Sequence, residues 1–147
     1  MRISKLTSHA LRVLLDCAAE APATVRAADI AERQRITEYN VQKIVALLAQ
    51  GGFLKTTRGR NGGIQLGAAP DDINLGDLIR LTERPSIEAE CFGTTVDCSL
   101  RPMTPINRIF DEAYRGFVTT LDRYSLADLQ RGRSPLEAAR DIEGLHA

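Results

Sequence analysis

Residues 37–63, TEYNVQKIVALLAQGGFLKTTRGRNGG, decide the fold. Thr37 is a good helix N-cap, and after it Val41, Ile44, Val45 and Leu48 recur at i, i+3, i+4, i+7, which places one apolar stripe on a helix. Gly51-Gly52 stops that helix. Phe53–Thr57 and Ile64–Leu66 then read as two short strands around the turn Arg58-Gly59-Arg60-Asn61-Gly62-Gly63, a basic β-hairpin. Just upstream, residues 27–33 carry a brief helical segment with Ile30 and Ala31 turned inward. Two helices joined by a tight turn form a helix-turn-helix, and a basic hairpin directly after them is a wing. The second helix presents Thr37, Glu38, Tyr39, Asn40, Gln42 and Lys43 at its polar N-terminal end, groups suited to base edges in a major groove. Arg58, Arg60 and Asn61 at the wing tip suit phosphates or a minor groove.

Toward the N-terminus, Leu11, Leu14, Leu15 and Ala18 predict a first helix with one buried stripe. Arg12 and Asp16 interrupt this stretch, so it reads as a folded helix instead of a secretion signal. No segment has the apolar length of a membrane span, which predicts a cytoplasmic protein without a membrane partner.

Toward the C-terminus, Asn74 caps a helix holding Leu75, Leu78 and Ile79 that ends around residues 82–85. Residues 86–103 have no sustained period and read as a loop. Thr104 as N-cap with Pro105 at the first position then starts a helix of about twenty residues. Its seam is Ile106, Phe110, Ala113, Phe117 and Tyr124, widened by Ile109 and Leu121. A helix of that length depends on packing of its apolar face, and the same helix of a second subunit across a two-fold axis suits it. Ile106, Ile109, Phe110, Ala113, Phe117 and Leu121 are thus the expected homodimer interface. Ser125 and Asp128 mark a further helix start, and residues 134–147 read as a weakly ordered tail. The expected organisation is a winged helix-turn-helix domain over 1–83, a cysteine-containing loop over 84–103, a dimerisation helix with a short following helix over 104–132, and a tail over 133–147. The fold class is mainly α with a small β-hairpin.

Charge supports a polyanion partner. The 147-residue chain is neutral overall, but residues 1–70 hold ten Lys/Arg against five Asp/Glu and residues 71–147 hold nine against fourteen, about +5 and −5. An enzyme is disfavoured: two His and three Cys give little material for acid–base or nucleophilic chemistry, and neither metalloprotease nor nucleotide-loop motifs occur.

Taken together, Leu6-Thr7-Ser8-His9-Ala10-Leu11-Arg12, the wing Arg58–Gly63, Glu90-Cys91-Phe92 and the run from Leu121 to Leu129 resemble the bacterial winged-helix repressors that include the iron–sulfur cluster regulator, the nitric-oxide-sensitive repressor and the rhizobial iron regulator. The resemblance spans nearly the whole chain. It implies a homodimer on a pseudo-palindromic double-stranded DNA operator, and a cluster held by three loop cysteines, often with a ligand from the first helix of the other subunit. Cys91 and Cys98 match the first two ligands, but Thr104 stands where the third cysteine is expected. Ser8, with His9 beside it, occupies the first-helix position.

Three readings of the loop stay open. A two-iron cluster can be held by Cys91 and Cys98 with non-cysteine ligands, His9 being the candidate. Cys91 and Cys98 can instead form a reversible disulfide, which needs their Cα atoms within about 7 Å. Or the regulator has no cluster and answers to another signal. Cys17, in the apolar part of the first helix, reads as a small buried hydrophobe.

Overall fold

The computed structural model describes residues 2–60, 62–83 and 106–132, with only the backbone described at 106 and 107. In chain order the helices are α1 (Lys5–Glu20), α2 (Ala27–Gln34) and α3 (Glu38–Gln50), then strands β1 (Leu54–Thr57) and β2 (Gly63–Leu66), then α4 (Leu75–Thr82), α5 (Ile106–Leu121) and α6 (Leu126–Arg131). A single 3-10 turn, Pro70–Asp72, precedes α4.

Four of the six helix starts have a side-chain cap among the described residues. Ser4, Thr37, Asn74 and Ser125 accept hydrogen bonds from the backbone N–H of Thr7, Asn40, Asp77 and Asp128, so that one otherwise unpaired donor per helix is satisfied. At Ser125 the device is reciprocal, because Asp128 also accepts from the Ser125 backbone N–H at 2.8 Å.

The core lies where α1, α3 and the hairpin meet. Ala10, Val13, Leu14, Ile30, Val41, Leu48, Leu78 and Leu126 are all fully buried in one cluster. Leu126 brings α6 into the same core as the N-terminal helices. In α1 the fully buried stripe is Ala10, Val13, Leu14 and Cys17, while Leu11 and Leu15 pack only partly against the core. Of the expected stripe, Leu14 and Ala18 are buried and Leu11 and Leu15 only partly so, which centres the buried face about one residue earlier than expected. Ala10 and Cys17 are small and bury completely beside Val13 and Leu14, and the longer Leu11 and Leu15 pack at the margins of that face.

The hairpin is antiparallel, with Leu54 opposite Leu66 and Thr57 opposite Gly63. A third segment joins it: Val25 and Ile64 exchange two backbone hydrogen bonds of 2.8 Å, pinning the wing to the α1–α2 connection. The long helix also needs correction. It ends at Leu121, and Tyr124 lies in the following turn, where its carbonyl accepts from the Leu75 N–H at 3.0 Å. The stop is set there because Asn74 Nδ2 donates to the Asp122 carbonyl at 2.7 Å and the Ser125 cap starts α6 at once. No described helix is long and apolar enough to cross a membrane.

Candidate nucleic-acid interface

α3 is fixed from below and open above. Val41, Ile44, Val45 and Leu48 are buried, so the helix cannot rotate without exposing them. That rotation sets the outward face: Thr37, Glu38, Tyr39, Asn40, Gln42 and Lys43 are all exposed, as the sequence predicts. Two i, i+4 pairs organise this face. Gln42 Nε2 donates to Glu38 Oε1 at 3.2 Å, and the Lys43 ammonium sits 4.4 Å above the centre of the Tyr39 ring. Tyr39 is 64% exposed, so its hydroxyl and ring edge are open to a partner.

The wing rises beside it. Gly59 at the tip has φ +109°, a conformation L side chains rarely adopt, and Gly62 lies so close to the Thr57 carbonyl that a side chain there would collide with the backbone. The tight tip keeps Arg58 and Arg60 exposed. Asn61 lies outside the described residues.

Behind the interface, α2 is moored to α1 by Arg33, whose Nη1 donates to Glu20 Oε1 at 2.8 Å and whose Nε lies 3.3 Å from Asp16. The turn between α2 and α3 is Arg35-Ile36-Thr37. Ile36 N–H donates to Ala31 carbonyl at 3.0 Å and Arg35 N–H to Glu32 carbonyl at 3.3 Å, a paired closure of the helix end that puts Arg35 at φ 53°, ψ 44°.

At the far end of the domain a polar cluster closes the start of α1 against the end of α4. The Thr7 hydroxyl, fully buried, lies 2.8 Å from that of Thr82 and donates to Glu83, which also accepts from the Ser4 N–H at 2.8 Å. Burial alone would raise the Glu83 pKa, but these hydrogen bonds hold it below the ordinary carboxylate value. Sequence reasoning missed this cluster because its members are more than seventy residues apart. The only trace is the local Ser4-x-x-Thr7 cap.

His9 is half-buried on α1. Cys91, Cys98 and Thr104 lie outside the described residues. Cys17 is buried, and burial first, then the Asp16 charge, pushes its thiol up to about 12, which makes it an inert core group as expected. Among the described residues no group of three or more His, Cys, Asp or Glu could hold a metal ion. On α5, Ile109 and Ala113 are exposed and Phe110, Phe117 and Leu121 half-buried, while the side chain of Ile106 is outside the description.

Comparison with known proteins agrees with this geometry. Residues 3–132 match the family model described as Rrf2, iron-dependent transcriptional regulator. The HTH-type transcriptional regulator NsrR of Bacillus subtilis is 35% identical over 92% of this chain and 94% of its own. Among solved structures, the T. potens IscR superposes with TM-score 0.68 at 26% identity, covering 90% of this chain and 88% of that one. CymR, the global cysteine regulator of B. subtilis, superposes with TM-score 0.69 at 24% identity over 91% of this chain and 99% of its own, a likeness of fold alone. A family match over residues 3–132, a relative above 30% identity and a winged helix built as described make this chain a member of the Rrf2 family of DNA-binding transcription regulators.

Proposed function

We propose that two copies of the chain bind a pseudo-palindromic duplex operator, each placing the N-terminal end of α3 in the major groove and its wing in the adjacent minor groove. The observation that carries this reading is the single surface shared by Thr37, Glu38, Tyr39, Asn40, Gln42 and Lys43 on α3, with Arg58 and Arg60 exposed at the tip of the adjoining wing. Asn61, between Arg60 and Gly62 in sequence, is proposed for the same role. The phosphates supply most of the affinity and the α3 side chains the sequence preference. The two subunits meet through α5, with Ile106, Ile109, Phe110, Ala113, Phe117 and Leu121 as the seam.

We further propose that residues 84–103 carry the control element, in line with the similarity to NsrR and IscR. The chain's donors for an iron–sulfur cluster are Cys91, Cys98 and, from α1, the half-buried His9. That set is short of four thiolates, because Thr104 offers a hydroxyl where a third thiolate is expected, so it suits a two-iron cluster with mixed ligands better than a four-iron one. A cluster there would respond to iron, oxidants or nitric oxide. The same substitution favours a second reading, a reversible Cys91–Cys98 disulfide as the switch.

The test uses the full-length protein and a duplex that it selects from a randomised pool. Arg60→Ala is expected to weaken binding and lower the log–log salt slope by about one phosphate-equivalent per subunit. Unchanged affinity and slope remove the wing from the interface. Anaerobic purification with visible spectroscopy and iron analysis, repeated on Cys91→Ala, separates the two control readings. Colourless, iron-free protein from cells that make clusters well leaves the thiol pair.

A further inference from the structure

Four described residues have a left-handed backbone, and three of them are glycine: Gly52 (φ +81°), Gly59 (φ +109°) and Gly132 (φ +63°). The fourth is Arg35, at φ 53°. The chain thus supplies glycine at every other described place where the backbone turns this way, including the end of α6, where Gly132 closes the helix much as Arg35 closes α2. A side chain in this region crowds its own backbone, and only glycine, with asparagine and aspartate next, takes it cheaply. The hydrogen bonds that hold the turn come from the backbone, from Arg35 N–H to Glu32 and Ile36 N–H to Ala31, so the turn itself has no use for an arginine side chain. Ile36, at 8% exposed, anchors it in the core.

Nothing else in the described fold uses the guanidinium. Arg33, two residues earlier, is engaged by Asp16 and Glu20, whereas Arg35 is exposed and makes no ion pair with any described residue. Its position is two residues before Thr37, the N-cap of α3. A strained residue that packing and hydrogen bonding do not need marks a site kept for function.

We infer that Arg35 is a DNA-backbone contact: a cation held at the entrance of α3, at a cost in stability, to engage a phosphate beside the groove that α3 enters. This rests on the operator reading above and adds a contact that the polar face of α3 and the wing do not contain. The left-handed backbone sets where this side chain leaves the turn, and its guanidinium adds a charge that can pair with a phosphate beside α3.

The experiment compares wild type with Arg35→Asn, Arg35→Gly and Arg35→Lys, all full-length and at equal protein concentration, on the duplex selected by the wild type and on a scrambled duplex of the same length. Asn and Gly accept the left-handed backbone, so both variants are expected to melt higher, by about 3 °C. Both are expected to bind about tenfold more weakly, by the same factor on both duplexes, with a salt slope lower by about 0.9 per subunit. Lys keeps the charge and the strain, and should retain most of the affinity with no gain in melting temperature. Wild type that selects duplex DNA while R35N binds with unchanged affinity and slope overturns the inference alone. An R35N protein that melts no higher than wild type also overturns it, because the strain is then absent. Wild type that binds no duplex overturns the operator reading and this contact with it.

Discussion

α3 and α5 are both amphipathic, and both lay one face on the domain, yet their outer faces are opposites. α3 turns outward Glu38, Tyr39, Asn40, Gln42 and Lys43, all able to hydrogen-bond or carry charge except for the Tyr39 ring. α5 turns outward Ile109, at 55% exposed, with Ala113 beside it and Phe110, Phe117 and Leu121 half-covered. The inner faces differ as well. α3 sinks four residues, Val41, Ile44, Val45 and Leu48, into the core, while on α5 the only buried side chain among those described is Val118. A helix held by its own domain can spend its outer face on a hydrophilic partner. A helix with so little of its apolar surface covered by the described residues has a face to offer a partner, and in the dimer proposed above a second copy supplies the matching one.

The sharpest way to break this contrast is to attack the inner face of α3. Leu48→Ala leaves a cavity in a fully buried site and is expected to cost about 2–5 kcal/mol, read as a lower midpoint of urea unfolding. A loss below about 1 kcal/mol would mean that α3 is not the pillar of the domain. Next in size, Ile109→Lys on α5 places two charges in the proposed seam of a dimer. It should weaken self-association about a hundredfold while leaving the monomer folded, seen by sedimentation together with circular dichroism. A variant that stays dimeric at low micromolar concentration assigns the α5 face to something other than the second copy.

The smallest effect sharpens how α5 is attached. Arg80 forks onto Asp122 at 2.6 and 2.7 Å, just past the end of α5. The Arg80 hydrogen bonds hold the Asp122 carboxyl below its ordinary pKa. A depressed carboxyl pKa stabilises the fold above the unfolded value, about 3.9, and that contribution disappears as the pH falls through the folded-state pKa. Asp122→Asn should therefore lower the urea midpoint only slightly at pH 7, because the pair is partly exposed, and the deficit should shrink in acid below pH of about 4. A deficit independent of pH would place the effect in packing and not in charge.

Much of this fold was legible because its signals are local. Thr37, Asn74 and Ser125 each cap a helix at the residue where sequence reasoning sets the start, and the wing announces itself by glycine at Gly59, Gly62 and Gly63. The polar face of α3 followed from its apolar stripe, since fixing one face of a helix fixes the other. What stayed hidden depends on distance along the chain. The pairing of Val25 with Ile64 and the meeting of Thr7 with Thr82 and Glu83 leave no periodicity behind. The overlong reading of α5 took Tyr124 as one more seam residue, because an apolar residue at the right spacing does not reveal that a carbonyl beyond Leu121 is claimed by Asn74. Arg35 escaped for the opposite reason: turns are found by glycine or asparagine, and this one has neither.

The bridge between Asn74 and Ser125 has a mechanical consequence. Leu75 N–H to the Tyr124 carbonyl and Leu126 N–H to the Ile73 carbonyl rivet the chain just past α5 to the start of α4. α5 is therefore a beam clamped at its C-terminal end, and its sixteen residues make an arm of about 24 Å. On such an arm a tilt of about 5° at the clamp carries the Ile106 end through about 2 Å. Small angular play at the rivet is thus magnified toward the Ile106 end of α5.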